Sequence, residues 1–599
     1  MHHRHIYTTL LTILILLPLG SHAQQTIFWI GGSGDWNDVG NWSSSSGGFG
    51  GFGLPNSSTN VVFDQFSFAV PGEVVTASSI LNCLDMDFRD VSNMPLFQVQ
   101  STDTLNIDGS IWLSPDMTWD VQSPIVFRDD MGGRQIDMEQ HSFLNDIFFQ
   151  SNSTGGEWTL ENQITVDGNI YIINGDLDAN GNAVQATSIR IPNNSNQVGL
   201  DISNSTIDLL GTPPDTAKFF AANDNLNFNA VGSEINLTGP NPCVTLSGDL
   251  SYTFEDLNFN GSGARLSTVN SQGNIPPVFT NLRFGEDGLI TGDHSTQLLT
   301  VSNQHTLELE NGSTQFVLDI ATNGPSCDGD ARIVSQFNNS TRAIIDVVSS
   351  PPDINAPIFL RGIDGRPTNR TISVFGGFNG GNNSTNITFT GNSRNLHWVG
   401  EGGDWNDPNN WSRTEGGPGG ECVPKSVDNV FFNNGSFPDG VGGDVVTSAL
   451  PIFLNSFTFT TDNFNGELRL PSLTIIADES VGQGSEPAGI TIEADDLQWN
   501  VDTTFLVSSE TPGMSSNTDN LTVSVSPNIL NNVVIDGEDG SRVRLDTALV
   551  INGSLLIGGD GEFNTLGHDV EASTIIITTP DVSLELAGST LTAVGSFEV

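Results

Sequence analysis

Basic residues are scarce in this chain of 599 residues: 19 Lys plus Arg stand against 70 Asp plus Glu, for a formal net charge of −51. A field of that sign repels phosphate backbones and argues against nucleic-acid binding, while it favours solubility and attracts divalent cations. Cysteine is rare as well. Cys83, Cys243, Cys327 and Cys422 show no CxxC pair and no zinc spacing, and their pairing is not legible from sequence. Long apolar runs are missing after the first residues. The one early run, Leu10 to Leu19, follows Arg4 and precedes Ser21-His22-Ala23. It is too short to span a bilayer and reads as an export signal over residues 1–23. The mature chain is therefore expected to be secreted or held at a cell surface, with no transmembrane segment.

Motifs of catalysis are missing too. There is no Gly-x-Ser-x-Gly elbow with partners and no phosphate loop. The mature histidines, His141, His294, His305, His397 and His568, stand at no metal-ligand spacing, and His397 beside Trp398 reads as a packing or surface residue. Acidic pairs, the mark of glycosidases, arise everywhere in so acidic a chain and carry no signal. Arg and Lys are scattered without a cluster. No catalytic residue is expected, and the chain reads as a non-enzyme.

What is present is a duplication. Trp29 to Phe68 reads WIGGSGDWNDVGNWSSSSGGFGGFGLPNSSTNVVFDQFSF, and Trp398 to Phe437 reads WVGEGGDWNDPNNWSRTEGGPGGECVPKSVDNVFFNNGSF. The two align without a gap at an offset of 369, with about half of the positions identical. Val74-Val75-Thr76 matches Val445-Val446-Thr447, Trp119 with Val121 matches Trp499 with Val501, and Leu144 to Gly211 resembles Leu530 to Gly595. A repeat of this length marks an array. Residues 24–396 form a first unit and 397–599 a second, which is expected to be incomplete.

Both units read as all-β: short runs of alternating apolar and polar residues, punctuated by Gly, Asn, Asp and Pro. Leu105 to Leu113 has aliphatic residues at every second place around Gly109; Ile164 to Ile172 repeats this around Gly168, Leu549 to Ile557 around Gly553, and Val244 to Tyr252 more loosely around Gly248. A two-residue hairpin at Asp108-Gly109 would send Ile111 and Leu113 to the face opposite Ile107 and Leu105, because a one-residue phase error flips a strand's faces. The aliphatic set stays together only if the chain runs on and bends at the glycine. The expected fold is a tandem of right-handed parallel β-helix (β-solenoid) units; an array of β-sandwich domains is the competing architecture.

Each unit opens on a tryptophan cassette: Trp29, Trp36 and Trp42, then Trp398, Trp405 and Trp411. Once per unit and at its boundary, the cassette suggests a packed cap; the competing reading is a glycan-stacking platform of Trp36, Trp42, Trp405 and Trp411. Asp35 and Asn37, with Asp404 and Asn406, are placed to close the turns between the indoles. Calcium is the one cofactor suggested. Asp176, Asp178 and Asn180 stand at alternate places, as in the first half of an EF-hand loop, although Thr187 occupies the twelfth position; an acidic turn is the competing reading, there and at Asp328-Gly329-Asp330.

The pattern WVGxGGDWNDPNNWS, GGPGG, CVPxSxDNVFFNNGSF resembles a cassette repeated in very large secreted, adhesin-like or gliding-associated surface proteins of Bacteroidetes, commonly exported by the type IX secretion system. It is more loosely similar to passenger repeats of autotransporter adhesins. The resemblance implies a secreted adhesin or surface scaffold, with glycans or other extracellular polymers as partners; a carbohydrate-binding or polysaccharide-degrading β-helix protein is the alternative. Gly53 stands where the second cassette has Cys422, so a family disulfide from that position would be lost in the first unit. Asp103-Thr104-Leu105, Asp215-Thr216-Ala217 and Asp546-Thr547-Ala548 resemble O-glycosylation acceptor sites of the same phylum.

Overall fold

A computed structural model describes residues 24–100, 104–151, 155–211, 218–247, 252–269, 276–324, 327–336, 341–437, 443–460, 466–477, 489–494, 497–508, 520–525, 529–537, 541–559, 561–578 and 582–599. The export signal, Gly248 and the triplet at Asp215 lie outside these residues, as does Asp103. The described chain is all-β; helical structure among it is confined to single 3-10 turns at Val39–Asn41 and Pro408–Asn410. It divides into two compact bodies, one reaching Arg128 and including Asp137–His141, the other comprising Asp129–Ile136 and Ser142 onward.

In the first body, three parallel ladders rise through successive turns of the chain. Gln25–Trp29 pairs with Thr59–Val62, whose Val61 faces Met86, which in turn faces Ile111. Leu81–Cys83 pairs with Leu105–Ile107, and that with Ile125–Phe127. Val74–Thr76 pairs with Leu96–Val99, and that with Thr118–Val121. Every second side chain points inward: Leu81, Cys83, Leu105, Ile107, Ile125 and Phe127 are all buried. Each fully buried aliphatic contributes on the order of 1.5–3 kcal/mol relative to exposure.

The second body repeats this scheme at greater length. One ladder runs from Ser142–Phe143 through Thr253–Phe259, Val278–Phe284 and Thr314–Asn323 to Ile363–Arg366, eleven strands in all. A neighbouring one carries Ser188–Ile191, Lys218–Ala221, Cys243–Ser247, Ala264–Val269, Gly288–Thr291, Thr306–Leu309, Ala331–Ser335 and Ile358–Arg361 in parallel register. From Asn395 onward two nine-stranded ladders follow, and their interior is one continuous apolar cluster from Leu396 to Ile575. In-register stacking places like on like: Phe254 over Phe279 with ring centroids 5.1 Å apart, and Phe259 over Phe284 at 4.8 Å.

At Gly109, Gly168 and Gly553 the chain runs on through the glycine, as the side-chain phase requires. Leu105–Ile107 and Ile111–Trp112 belong to different ladders, and no hairpin forms between them. A Cβ on Gly109 would lie 2.2 Å from Asp85 Oδ1. That same oxygen accepts the Ser110 N–H at 2.8 Å, so the bend is closed by a carboxylate from the preceding level.

Candidate functional site

The two cassettes are built alike. Trp29 pairs antiparallel with Trp42, and Trp398 with Trp411. Their rings meet edge to face with centroids 5.1 Å apart in both copies, near-perpendicular at 80° and 82°. Trp42 Nε1 donates to Trp36 O at 2.8 Å, and Trp411 Nε1 to Trp405 O at 2.7 Å. Asp35 Oδ1 accepts the Asn37 N–H and Asp404 Oδ1 that of Asn406, closing the same turn twice. Asn41 and Asn410 bond the carbonyls of Asp35 and Asp404, and lie so close that a Cβ on Gly31 or Gly400 would meet them at 2.6 and 2.3 Å. Trp36, Trp42, Trp405 and Trp411 are each no more than 1% exposed. None of the four offers a ring face to solvent, so sugar stacking on them would require the cassette to open. Their geometry is that of a packed core.

The calcium candidates sit at the end of one strand and in the turn that follows it. Asp176 and Asp178 lie on the strand Asn169–Asp178, and Asn180 follows in the turn at a φ of 53°. Asp178 Oδ1 accepts the Asn180 N–H, while Asn180 Nδ2 donates to Leu160 O. Burial, reinforced by the Glu157 carboxylate, pushes Asp176 above the usual carboxylate range. Among the described residues, no group of three or more His, Cys, Asp or Glu gathers as a metal would need. His397 stacks on Phe431 and bonds Asn433, and the Thr547 hydroxyl is engaged with the backbone of Val525.

Spacing in the sequence gives no hint of what lies where the second cassette meets the ladder of Ala331–Ser335. Cys327 and Cys422 form a disulfide across 95 residues, and Cys83 and Cys243 are free. Beside it, Asp330 Oδ1 accepts both the N–H and the hydroxyl of Ser426 at 3.1 Å. Gln304 Nε2 donates to Asn406 Oδ1. Phe359, Phe378, Val427, Ile476 and Val507 close an apolar seam. Buried Arg332 bridges the two sides: Nε donates to Thr306 Oγ1, Nη2 to Gln304 O, and the guanidinium carbon lies 3.8 Å from the Phe453 ring centre.

Next to this seam opens a cleft of about 520 Å³. Its polar walls are Asp287, Thr306, Glu308 and Asp536, and its aromatic ones Phe453 and Phe505. The carboxyl pair is differentiated. Partial burial, helped by Asp287, pushes Glu308 up. Burial would push Asp287 up too, but His305 and the Thr306 N–H, 2.7 Å from Oδ1, hold it below the ordinary range. A shallower trough of about 500 Å³, lined by Cys243, Arg265 and Leu289, shares Asp287, Gly288 and Glu308 with the cleft and so continues it.

Register creates this site. On the outer face of one sheet, Lys218, Cys243, Arg265, Leu289, Glu308, Val334 and Arg361 stand in one column. Three of the basic residues scattered along the sequence, Lys218, Arg265 and Arg361, share this column across its seven strands, and buried Arg332 lies in the adjacent one.

Among the described residues, no helix is long and apolar enough to cross a membrane. No family model, no curated protein and no solved structure matches the chain.

Proposed function

We propose that this chain is a secreted or cell-surface scaffold of adhesive type, built from right-handed parallel β-solenoid units in tandem, that works by presenting surface to glycans or other extracellular polymers. One observation carries the reading. The cassette geometry recurs nearly unchanged at the start of each sequence unit, and parallel ladders with aliphatic interiors follow it both times. A turn-by-turn parallel path is the solenoid's defining connection, and the right hand is the one such crossovers take. In this reading the cassettes cap the units. The resemblance of the cassettes to those of adhesin-like Bacteroidetes proteins, the disulfide and the acidic composition support life outside the cytoplasm.

The test is attachment of the intact chain to cells and to glycan-coated surfaces under flow, with sugar release assayed on the same polysaccharides. Attachment without release is expected. Release of new chain ends would overturn the non-catalytic reading in favour of a polysaccharide-degrading β-helix, whose one support is the cleft holding Glu308 and Asp287.

A further inference from the structure

The trough and cleft carry a more specific assignment, which rests on the glycan-contacting reading above. In a chain with 70 acidic residues, exposed cations find partners readily: Arg89 bonds Asp87, Arg413 bonds Glu421, Arg469 bonds Glu467 and Arg542 meets Glu562. Arg265 and Lys218 are different. Neither forms an ion pair among the described residues, which they share with Arg283 on the neighbouring ladder; Arg265 is exposed at the trough and Lys218 lies 5.0 Å over the Phe220 ring. They stand two strands apart in one column, about 9.6 Å at the usual strand spacing. Beyond them the column runs through Leu289 to Glu308 and into the cleft, where the half-buried rings of Phe453 and Phe505 face Thr306, Ser472 and Asp536.

We propose that this trough and cleft bind a strand of acidic polysaccharide, with Arg265 and Lys218 receiving its anionic groups and sugar rings lying in the cleft beside Phe453 and Phe505. Charge complementarity selects the polymer. An anion approaching elsewhere meets the net negative field, and screening confines the pull of Arg265 and Lys218 to about one Debye length of 8–10 Å. The anionic groups therefore sit on the Lys218 side of Arg265, away from the Asp287 and Glu308 carboxylates at the cleft end of the trough. Sugars offer both apolar ring faces and hydroxyls, which matches a wall that holds phenyl rings together with Thr, Ser and Asp side chains. The Glu308 carboxyl, raised by its surroundings, takes up a proton more readily than an ordinary glutamate and so gives less repulsion to an incoming anion.

The experiment titrates the full chain calorimetrically with four probes: a uronic-acid hexasaccharide, a sulfated hexasaccharide, a neutral glucose hexasaccharide and hexa-aspartate. Binding of one or both acidic saccharides is expected, with the two arms separating carboxylate from sulfate as the anion. Arg265→Ala should weaken binding at least tenfold, Arg265→Lys should restore part of it, and Arg283→Ala, an exposed arginine on the neighbouring ladder, should leave it unchanged. Glu308→Gln should tighten binding at neutral pH and flatten its rise as pH falls. Equal binding by wild type and Arg265→Ala, a preference for the neutral saccharide, or equal affinity for hexa-aspartate would each overturn the assignment. If Arg265→Ala protein still attaches to glycan-coated surfaces as wild type does, the site fails and the adhesive reading stands. If wild type attaches to nothing yet titrates with an acidic saccharide, the adhesive reading fails and the site stands.

Discussion

Asp146 accepts the backbone N–H of Asn169 at 2.7 Å from the preceding level of its ladder, and Gly168 between the two strands has no space for a side chain. A Cβ there would lie 2.5 Å from Asp146 N. Asp85 with Ser110 and Asn532 with Ser554 repeat the arrangement, around Gly109 and Gly553. The glycine is needed at these three bends for close approach of the previous level, since none of them has a positive φ. Gly168→Ala should therefore act as overpacking and cost about 1–3 kcal/mol. Thermal unfolding followed by far-UV circular dichroism reads this, and an unchanged midpoint for Gly168→Ala would show that the bend has slack.

The cassettes make a separable prediction. Trp411 is fully buried, meets Trp398 and Trp405 edge to face, and donates its indole N–H to Trp405 O. Trp411→Ala should cost about 3–5 kcal/mol, as large aromatic deletions do. Trp42→Ala should cost a similar amount in its own cassette. A glycan platform would behave otherwise: binding would vanish with the unfolding midpoint unmoved. Measuring both on the same variants decides between cap and platform.

The disulfide closes a loop of 95 residues beside the seam of Phe359, Phe378, Val427, Ile476 and Val507. In the chain-entropy model a loop of that size stabilises by up to about 4–5 kcal/mol. The paired change Cys327→Ser with Cys422→Ser should lower the midpoint for the part of the chain around the cleft. Hydrogen exchange should show faster opening near Ser426 and Arg332, with the strands near Ile107 unaffected. Uniform protection across both regions would mean the hydrogen bonds of Asp330 and Arg332 suffice without the sulfur bridge.

Much of this fold is written locally. The alternation around Gly109, Gly168 and Gly553 ruled out hairpins by phase alone, and the spacing of Asp35 and Asn37 foretold a side-chain-closed turn. The cassette's tandem copies likewise point to packing. The cleft was hidden for a physical reason. Glu308, Arg332 and Phe359 come from successive strands whose connecting loops differ in length, and Phe453 and Phe505 come from the other sequence unit. No fixed sequence period records which side chains share a column when each turn of the ladder has its own length. Arg265 and Lys218 looked scattered for the same reason. At the EF-hand-like spacing of Asp176, Asp178 and Asn180, alternate acids on a strand share a face, while Asn180 turns its amide to a backbone carbonyl.

Acid should weaken the second body through one interior histidine. His294 is 0% exposed, lies edge-on to Phe279 with centroids 5.8 Å apart, and has both ring nitrogens without a hydrogen-bond partner although Gln315 stands opposite it on the adjacent strand. Burial pushes its pKa down to about 3. In the unfolded chain it titrates near the ordinary value of about 6.5. Between those two values the unfolded state binds a proton that the folded state refuses. The stability from this site is therefore complete above about pH 6.5 and falls as pH drops towards 3, by about 1.4 kcal/mol per pH unit. His294→Leu keeps an apolar side chain in the stack and removes the titration. The difference in urea stability between wild type and variant should then change with that slope between pH 6 and pH 4, whatever the carboxylates contribute to both. A pH-independent difference would mean that the folded protein accepts the proton, and with it that water or Gln315 reaches the imidazole.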